Sequence, residues 1–239
     1  MASRPEYVFT RDFLDNNRIW LFDVAETVSK STRLVGLDIS FKAAPPPATL
    51  PSNVTLRHWD VRDDVPEDLI NAFDIVHLRF FSFVVMNEEV PGVVEKLYKL
   101  LRPGGYLQWG DPDVSSIRID KSEPGNKTES LSRLMQLMTV QDPRFSPKWV
   151  TELPNIFEAS GFVDIERHVC DAPPHLSFIM HECGLMIHDL IARKTKNEKM
   201  AQELEQLLPQ AVEDTREGAY VSAVRWVVIG RKPEETSSP

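Results

Sequence analysis

Two acids that close successive apolar runs are the residues of this sequence best placed to do chemistry. Asp38 ends Arg33-Leu-Val-Gly-Leu-Asp38, and Asp60 ends Asn53-Val-Thr-Leu-Arg-His-Trp-Asp60, with Val61, Arg62 and Asp63 directly behind it. A carboxylate at the end of a strand accepts both hydroxyls of a ribose, or it caps the turn that follows. Asp60 with the backbone N–H of Val61 offers an acceptor and a donor suited to an adenine amino group and its neighbouring ring nitrogen. The alternative is that these charges solvate a loop ahead of a helix start at Pro66-Glu67.

Other titratable groups are scattered. His77 lies inside Phe73-Asp-Ile-Val-His-Leu-Arg79 and Asp111 follows Gly105-Tyr-Leu-Gln-Trp109; these two are the weak candidates for catalytic groups. Asp111 and Asp113 read either as substrate-side polar groups or as caps of the next segment. His175, His181 and His188 fall on or near a predicted helix, and the last two, seven apart, share a face. With no third ligand indicated they do not predict a metal site. Cys170 and Cys183, the only cysteines, suit neither a disulfide framework nor a metal cluster.

The elements that must position these groups alternate. Four stretches read as strands: 33–38, 53–60, 73–79 and 105–109, apolar and rich in β-branched residues. Ile19 to Val28 has apolar residues at helical spacing, as does Val90 to Leu101, which Pro103-Gly104-Gly105 ends. Helix alternating with strand predicts a doubly wound, mainly parallel α/β sheet. Asp111 to Asn126 reads as a loop leaving that sheet. Helices are expected around Leu131–Met138, Pro147–Ser160, Ile179–Arg193 and Glu198–Leu208, with strands at Phe162–Cys170 and Ala223–Ile229. The predicted organisation is a single domain over 1–232, with a nucleotide-binding half (19–113), a lid or insertion (114–160) and a C-terminal half (161–232), then a disordered tail at 233–239.

Composition narrows the partners. A formal net charge of -9 over 239 residues argues against a nucleic-acid surface, which needs clustered Lys and Arg. No run approaches the ~20 apolar residues of a membrane span. Met1 to Thr10 lacks the basic-then-apolar order of a secretory signal, so a cytoplasmic location is expected. A small-molecule substrate fits this balance, with a homodimer or a pathway-enzyme partner as further expectations.

Taken in order, Leu34-Val-Gly-Leu-Asp38, Trp59-Asp-Val-Arg-Asp63, Phe73–Arg79 and Leu101-Arg-Pro-Gly-Gly-Tyr-Leu-Gln-Trp109 resemble the class I S-adenosylmethionine-dependent methyltransferases, and most closely the filamentous-fungal group associated with secondary metabolism. The resemblance covers residues 20 to 113 well and the rest loosely. It implies a Rossmann-like fold and S-adenosyl-L-methionine as cofactor. Asp38 would bind the ribose, Asp60 and Val61 the adenine, and Arg79 would line the cofactor edge. The implied activity is action on a small aromatic intermediate, by methylation or otherwise. The alternatives are a cofactor-independent protein that steers cyclisation, rearrangement or product partition, and a non-catalytic subunit.

The chain departs from the family at one place. Its first glycine is Gly36, whereas relatives carry strand one and a Gly-x-Gly-x-Gly turn between a segment similar to Tyr7–Arg18 and an Ile-Trp-Leu like Ile19–Leu21. The two segments are contiguous here, as if strand and turn were deleted. Five buried apolar side chains at ~1.5–3 kcal/mol each represent ~7–15 kcal/mol, comparable to the whole stability of a domain, about 5–15 kcal/mol. A replacement is therefore expected, with Glu6–Thr10 as the strand and Asp12 capping a helix that runs through Leu14 and Trp20, or with a partner chain in the gap instead.

Overall fold

The computed structural model describes residues 20–42, 44–82, 84–139 and 147–235. The expectations for Glu6–Thr10, Asp12 and Leu14 lie outside these residues. The chain divides into two compact units, one ending at Asp64 and the other starting at Val65.

In the first unit, helix α1 (Trp20–Thr27) precedes strands β1 (Leu34–Asp38) and β2 (Val54–His58). The strands pair in parallel, Leu34 opposite Val54 and Asp38 opposite His58. Gly36 is where the helix meets the strand. A Cβ there would stand 2.7 Å from Leu56 Cδ2 and 3.1 Å from Leu21 Cδ2, so the missing side chain serves packing.

In the second unit, β3 (Phe73–Arg79), β4 (Leu101–Pro112), β6 (Val163–Asp171) and β8 (Val224–Arg231) form a sheet in the order β3-β4-β8-β6. β3 and β4 are parallel, while β8 runs antiparallel to both β4 and β6. Within this sheet β8 alone runs against the other three strands. Helix α2 (Val90–Leu100) joins β3 to β4 and buries Val93, Val94, Leu97 and Leu100 at 3.6-residue spacing. These meet Leu107 and Trp109 on one face of β4, with Leu153 and Phe157 of α4 (Leu153–Ala159) also buried. Gly104, at φ +79°, and Gly105, whose Cβ would stand 3.1 Å from the Asp74 carbonyl, make an irregular start to β4. Glycine suits both places, the first by its positive φ and the second by the close backbone.

A second core is built from the segments after β4 and β6. Leu131 and Leu134 of α3 (Glu129–Thr139) pack with Ala192 of α5 (Pro174–Lys194) and with Leu204, Leu207 and Ala211 of α6 (Glu198–Arg216). Strands β5 (Arg118–Lys121) and β7 (Ala219–Ser222) pair antiparallel beside them. The stretch expected to be a loop, 111–126, therefore contains the end of β4 and all of β5. Its polar residues take strand form because a partner strand about a hundred residues later supplies the ladder, with Ser222 donating to the Asp120 carboxylate.

Candidate functional site

The two acids of the first unit both stand at the carboxyl end of its parallel pair. Asp38 is the exposed last residue of β1. Its Oδ1 accepts the Ser40 N–H at 2.9 Å, and its carbonyl accepts the Trp59 N–H at 3.1 Å, which carries the strand pairing one step past β2. Asp60 is buried, 8% exposed. Its Oδ1 accepts the Arg62 N–H at 2.9 Å and its carbonyl the Asp63 N–H at 2.8 Å. Trp59 braces this turn by donating from Nε1 to the Asp64 carbonyl at 3.1 Å. Val61 sits at the apex and is 9% exposed. Each acid caps its own turn through one oxygen, and each stands at the carboxyl end of the parallel pair.

The other three candidates belong to the four-stranded sheet. His77 and Arg79 share a face of β3 with their β4 partners Gln108 and Gly110. His77 donates from Nδ1 to Gln108 Oε1 at 2.8 Å. Burial lowers the pKa of the ring, opposed by the bond to Gln108 and reinforced by Arg79. Arg79 ends β3, with its guanidinium 5.7 Å from the centre of the Phe80 ring.

Asp111 points into the opposite face of β4 and is 3% exposed. Its Oδ1 accepts the Ser82 N–H at 2.9 Å and the Ser82 hydroxyl at 2.6 Å. Its Oδ2 accepts the Phe81 N–H at 3.0 Å and Trp109 Nε1–H at 2.7 Å. Burial pushes its carboxyl above the usual range, and the four donors pull it back. The carboxylate thus ties the turn after β3 to the end of β4. Asp113 caps its own turn, accepting from Ser115 N and Oγ.

Sequence reasoning missed the residues of that turn. Phe80 has φ +58°, a conformation rare for a bulky residue. Phe81 packs edge-on against Trp109, centroids 5.9 Å apart, and Trp109 against Trp149 at 5.1 Å. The one available signal was the i, i+2 spacing of Trp109 and Asp111, which places both on one strand face.

His181 and His188 are in α5, bonded to Thr215 Oγ1 at 2.8 Å and to the Gly184 carbonyl at 2.6 Å. Among the described residues no group of three or more His, Cys, Asp or Glu is arranged to hold a metal ion, and no helix is long and apolar enough to cross a membrane.

No protein-family model matches the chain. Among curated proteins it is 36% identical over 93 residues to the N-methyltransferase verN of Clonostachys rogersoniana, covering 39% of this chain and 32% of that one. It is 32% identical over 100 residues to the N-methyltransferase tcpN of Claviceps purpurea, covering 41% and 36%. The chain thus matches about a third of the length of these relatives. Among solved structures it is similar to the [4+2]-cyclase SpnF, with a TM-score of 0.51 and 16% identity, covering 89% of this chain and 69% of that one; this likeness concerns the fold. The strand and helix arrangement is that of a Rossmann-like α/β protein, and over about 100 residues the chain is similar to fungal N-methyltransferases.

Proposed function

We propose that this chain takes part in fungal secondary metabolism by transferring a methyl group from S-adenosyl-L-methionine to a small aromatic acceptor. The names of its relatives favour nitrogen as the acceptor atom. The observation that carries the reading is the pair of acids at one end of β1 and β2. Asp38 spends one carboxylate oxygen on Ser40 and keeps the other for the ribose hydroxyls. The Asp60–Asp63 turn, with Asp60 and Val61 both buried, receives the adenine edge.

These residues fit the nucleoside half of the donor. For the methionine half, no glycine precedes Gly36 in this sequence, and Gly36 itself is packed by leucine side chains. When bound, S-adenosylmethionine supplies an electrophilic methyl that a nucleophilic acceptor atom displaces from sulfur. The residues of this chain orient and exclude water; such a transfer needs positioning more than acid–base groups. Two free cysteines, Cys170 exposed and Cys183 partly so, suit a reducing compartment, and a cytoplasmic location and a single methyltransferase domain over 1–232 are part of the same proposal.

Calorimetric titration with S-adenosylmethionine tests it. Binding is expected, and Asp38→Ala is expected to weaken it by about tenfold or more, the loss of hydrogen bonds to a charged group. Absence of heat at millimolar donor would count against the reading. It would favour instead a methyltransferase-fold protein that binds a pathway intermediate without the donor, which the missing glycine turn also suits.

A further inference from the structure

Helix α5 lies wholly in the second unit and carries apolar side chains on two sides. Its inner side buries Ser177, His181 and Ala192, with Leu185 and Ile191 packed against the core of α3 and α6. Its outer side carries Leu176, Ile179, Met180 and Met186, which are 43%, 43%, 42% and 61% exposed, and the half-buried Cys183, Ile187 and Leu190. These residues all fall within about 60° of Cys183 around the helix, so they form one stripe. A helix at the surface keeps a polar outer side, as α6 does with Glu198, Gln202, Glu205 and Gln206 exposed. A helix that is apolar all round is one that another element covers.

The stripe reads the same in both directions from its centre. Cys183 stands in the middle, Met180 and Met186 are three residues away on either side, Ile179 and Ile187 four, and Leu176 and Leu190 seven. A two-fold contact sets residue i of one copy on residue j of the other, and j on i. In an antiparallel pair centred on Cys183, every layer of the stripe therefore meets a layer of the same composition. Leucine meets leucine, the isoleucine–methionine layer meets its like, and cysteine meets cysteine. The smallest side chain stands where two crossing helices come closest, and the longer ones fill the gap that widens away from that point. A parallel pair would match the layers too, but Lys194, on the same side of the helix, would then face its own copy. The antiparallel pair holds the two lysines at opposite ends, without that repulsion.

We propose that the outer face of α5 is an interface between two copies of this chain, with the two helices antiparallel and Cys183 on the two-fold axis. One helix face about 30 Å long covers less than the ~800 Å² per partner of a standard interface. The pair is therefore reversible and its population follows concentration. It needs no residue before Val65.

The test is sedimentation of the full chain at rising concentration, with thermal melts of each variant at the dilute end. Ile179 and Met186 lie along one edge of the stripe, so in the antiparallel pair Ile179 of each copy comes level with Met186 of the other. Ile179→Glu/Met186→Lys sets opposite charges together and is expected to keep the dimer. Ile179→Glu/Met186→Glu sets like charges together and is expected to weaken association about a hundredfold or more relative to it. Both are expected to melt as the parent does when dilute, because both positions are exposed. In Cys170→Ser, which leaves Cys183 as the sole cysteine, a short bis-maleimide is expected to join two chains, and Ile179→Glu/Met186→Glu in that background is expected to abolish the product. A parent that stays monomeric throughout would overturn the inference and leave the stripe to a different partner. A dimer that both double variants affect equally, or that the bis-maleimide does not join through Cys183, would overturn it as well, since the contact would then lie elsewhere on the chain.

Discussion

His181 is 5% exposed, and its Nε2–H donates to Thr215 Oγ1, which donates in turn to the Ala211 carbonyl at 2.8 Å. The ring is thereby held as a neutral donor. Burial first, and the nearby His188 second, lower its pKa from 6.5 to about 4. Between those values the unfolded chain binds the proton and the folded chain does not. Its contribution to stability is therefore complete above about pH 6.5 and is lost as the pH falls towards 4, a change on the order of 3 kcal/mol. His188, also lowered by burial, adds in the same direction. Urea unfolding at about pH 7 and about pH 4.5 should show this loss in the parent, and a smaller one in His181→Gln, whose amide N–H replaces Nε2–H. Equal stability of the parent at both pH values would mean that the imidazole takes up its proton in the folded state.

Elements in this fold depend on contacts that differ in how far along the chain they reach. Gly230 of β8 is buried, and a Cβ there would lie 2.8 Å from Phe157 Cδ2 and 3.1 Å from Phe162 Cβ, so α4 lies against the strand with no room for a methyl. Gly230→Ala should cost about 1–3 kcal/mol by overpacking, read as a lower denaturant midpoint at unchanged slope. At the end of the same strand, Lys232 Nζ donates to the carbonyls of Tyr98 and Leu101, at 3.1 and 2.8 Å, and to Asn71 Oδ1 at 2.9 Å. It thus closes the carbonyl end of α2. Lys232→Met should cost about 1–3 kcal/mol in the same experiment, the loss of hydrogen bonds from a charged donor.

The same reach in sequence separates what was legible from what was not. β1, β3 and α2 could be read from β-branched runs and helical spacing, and Asp38 and Asp60 could be placed because each ends its own strand. β5 could not be read, because Arg118-Ile-Asp-Lys121 is a strand only by pairing with Ala219–Ser222. Helix α6 was expected to end at Leu208, ahead of Pro209. It continues to Arg216 because Ala211, Asp214 and Thr215 are buried beyond the proline, and that packing outweighs the lost backbone bond. The work of Asp111 was hidden for a similar reason, since its partner Ser82 lies 29 residues upstream.

At the scale of the molecule, the described strands form separate sheets, and β3 is the outermost strand of its own. An outermost strand displays unpaired backbone groups and invites another strand unless charge or cover blunts it. β3 carries Ile75, 67% exposed, opposite Tyr106, 44% exposed, an apolar pair on the face that also carries His77 and Arg79. The second unit nevertheless contains two cores of its own, one under the four-stranded sheet and one joining α3, α5 and α6. A fragment spanning 65–239 should therefore melt cooperatively, as followed by circular dichroism, and should not bind S-adenosylmethionine, because Asp38 and Asp60 are outside it. It should also associate beyond the α5 pair as its concentration rises, through β3. Ile75→Lys places a charge on that strand and should shift sedimentation of the fragment back to that pair without lowering its melting temperature. A fragment that grows no larger than the pair at high concentration with Ile75 intact would mean that β3 is no adhesive edge. A fragment without a cooperative transition would mean that the two cores need residues before Val65 to fold.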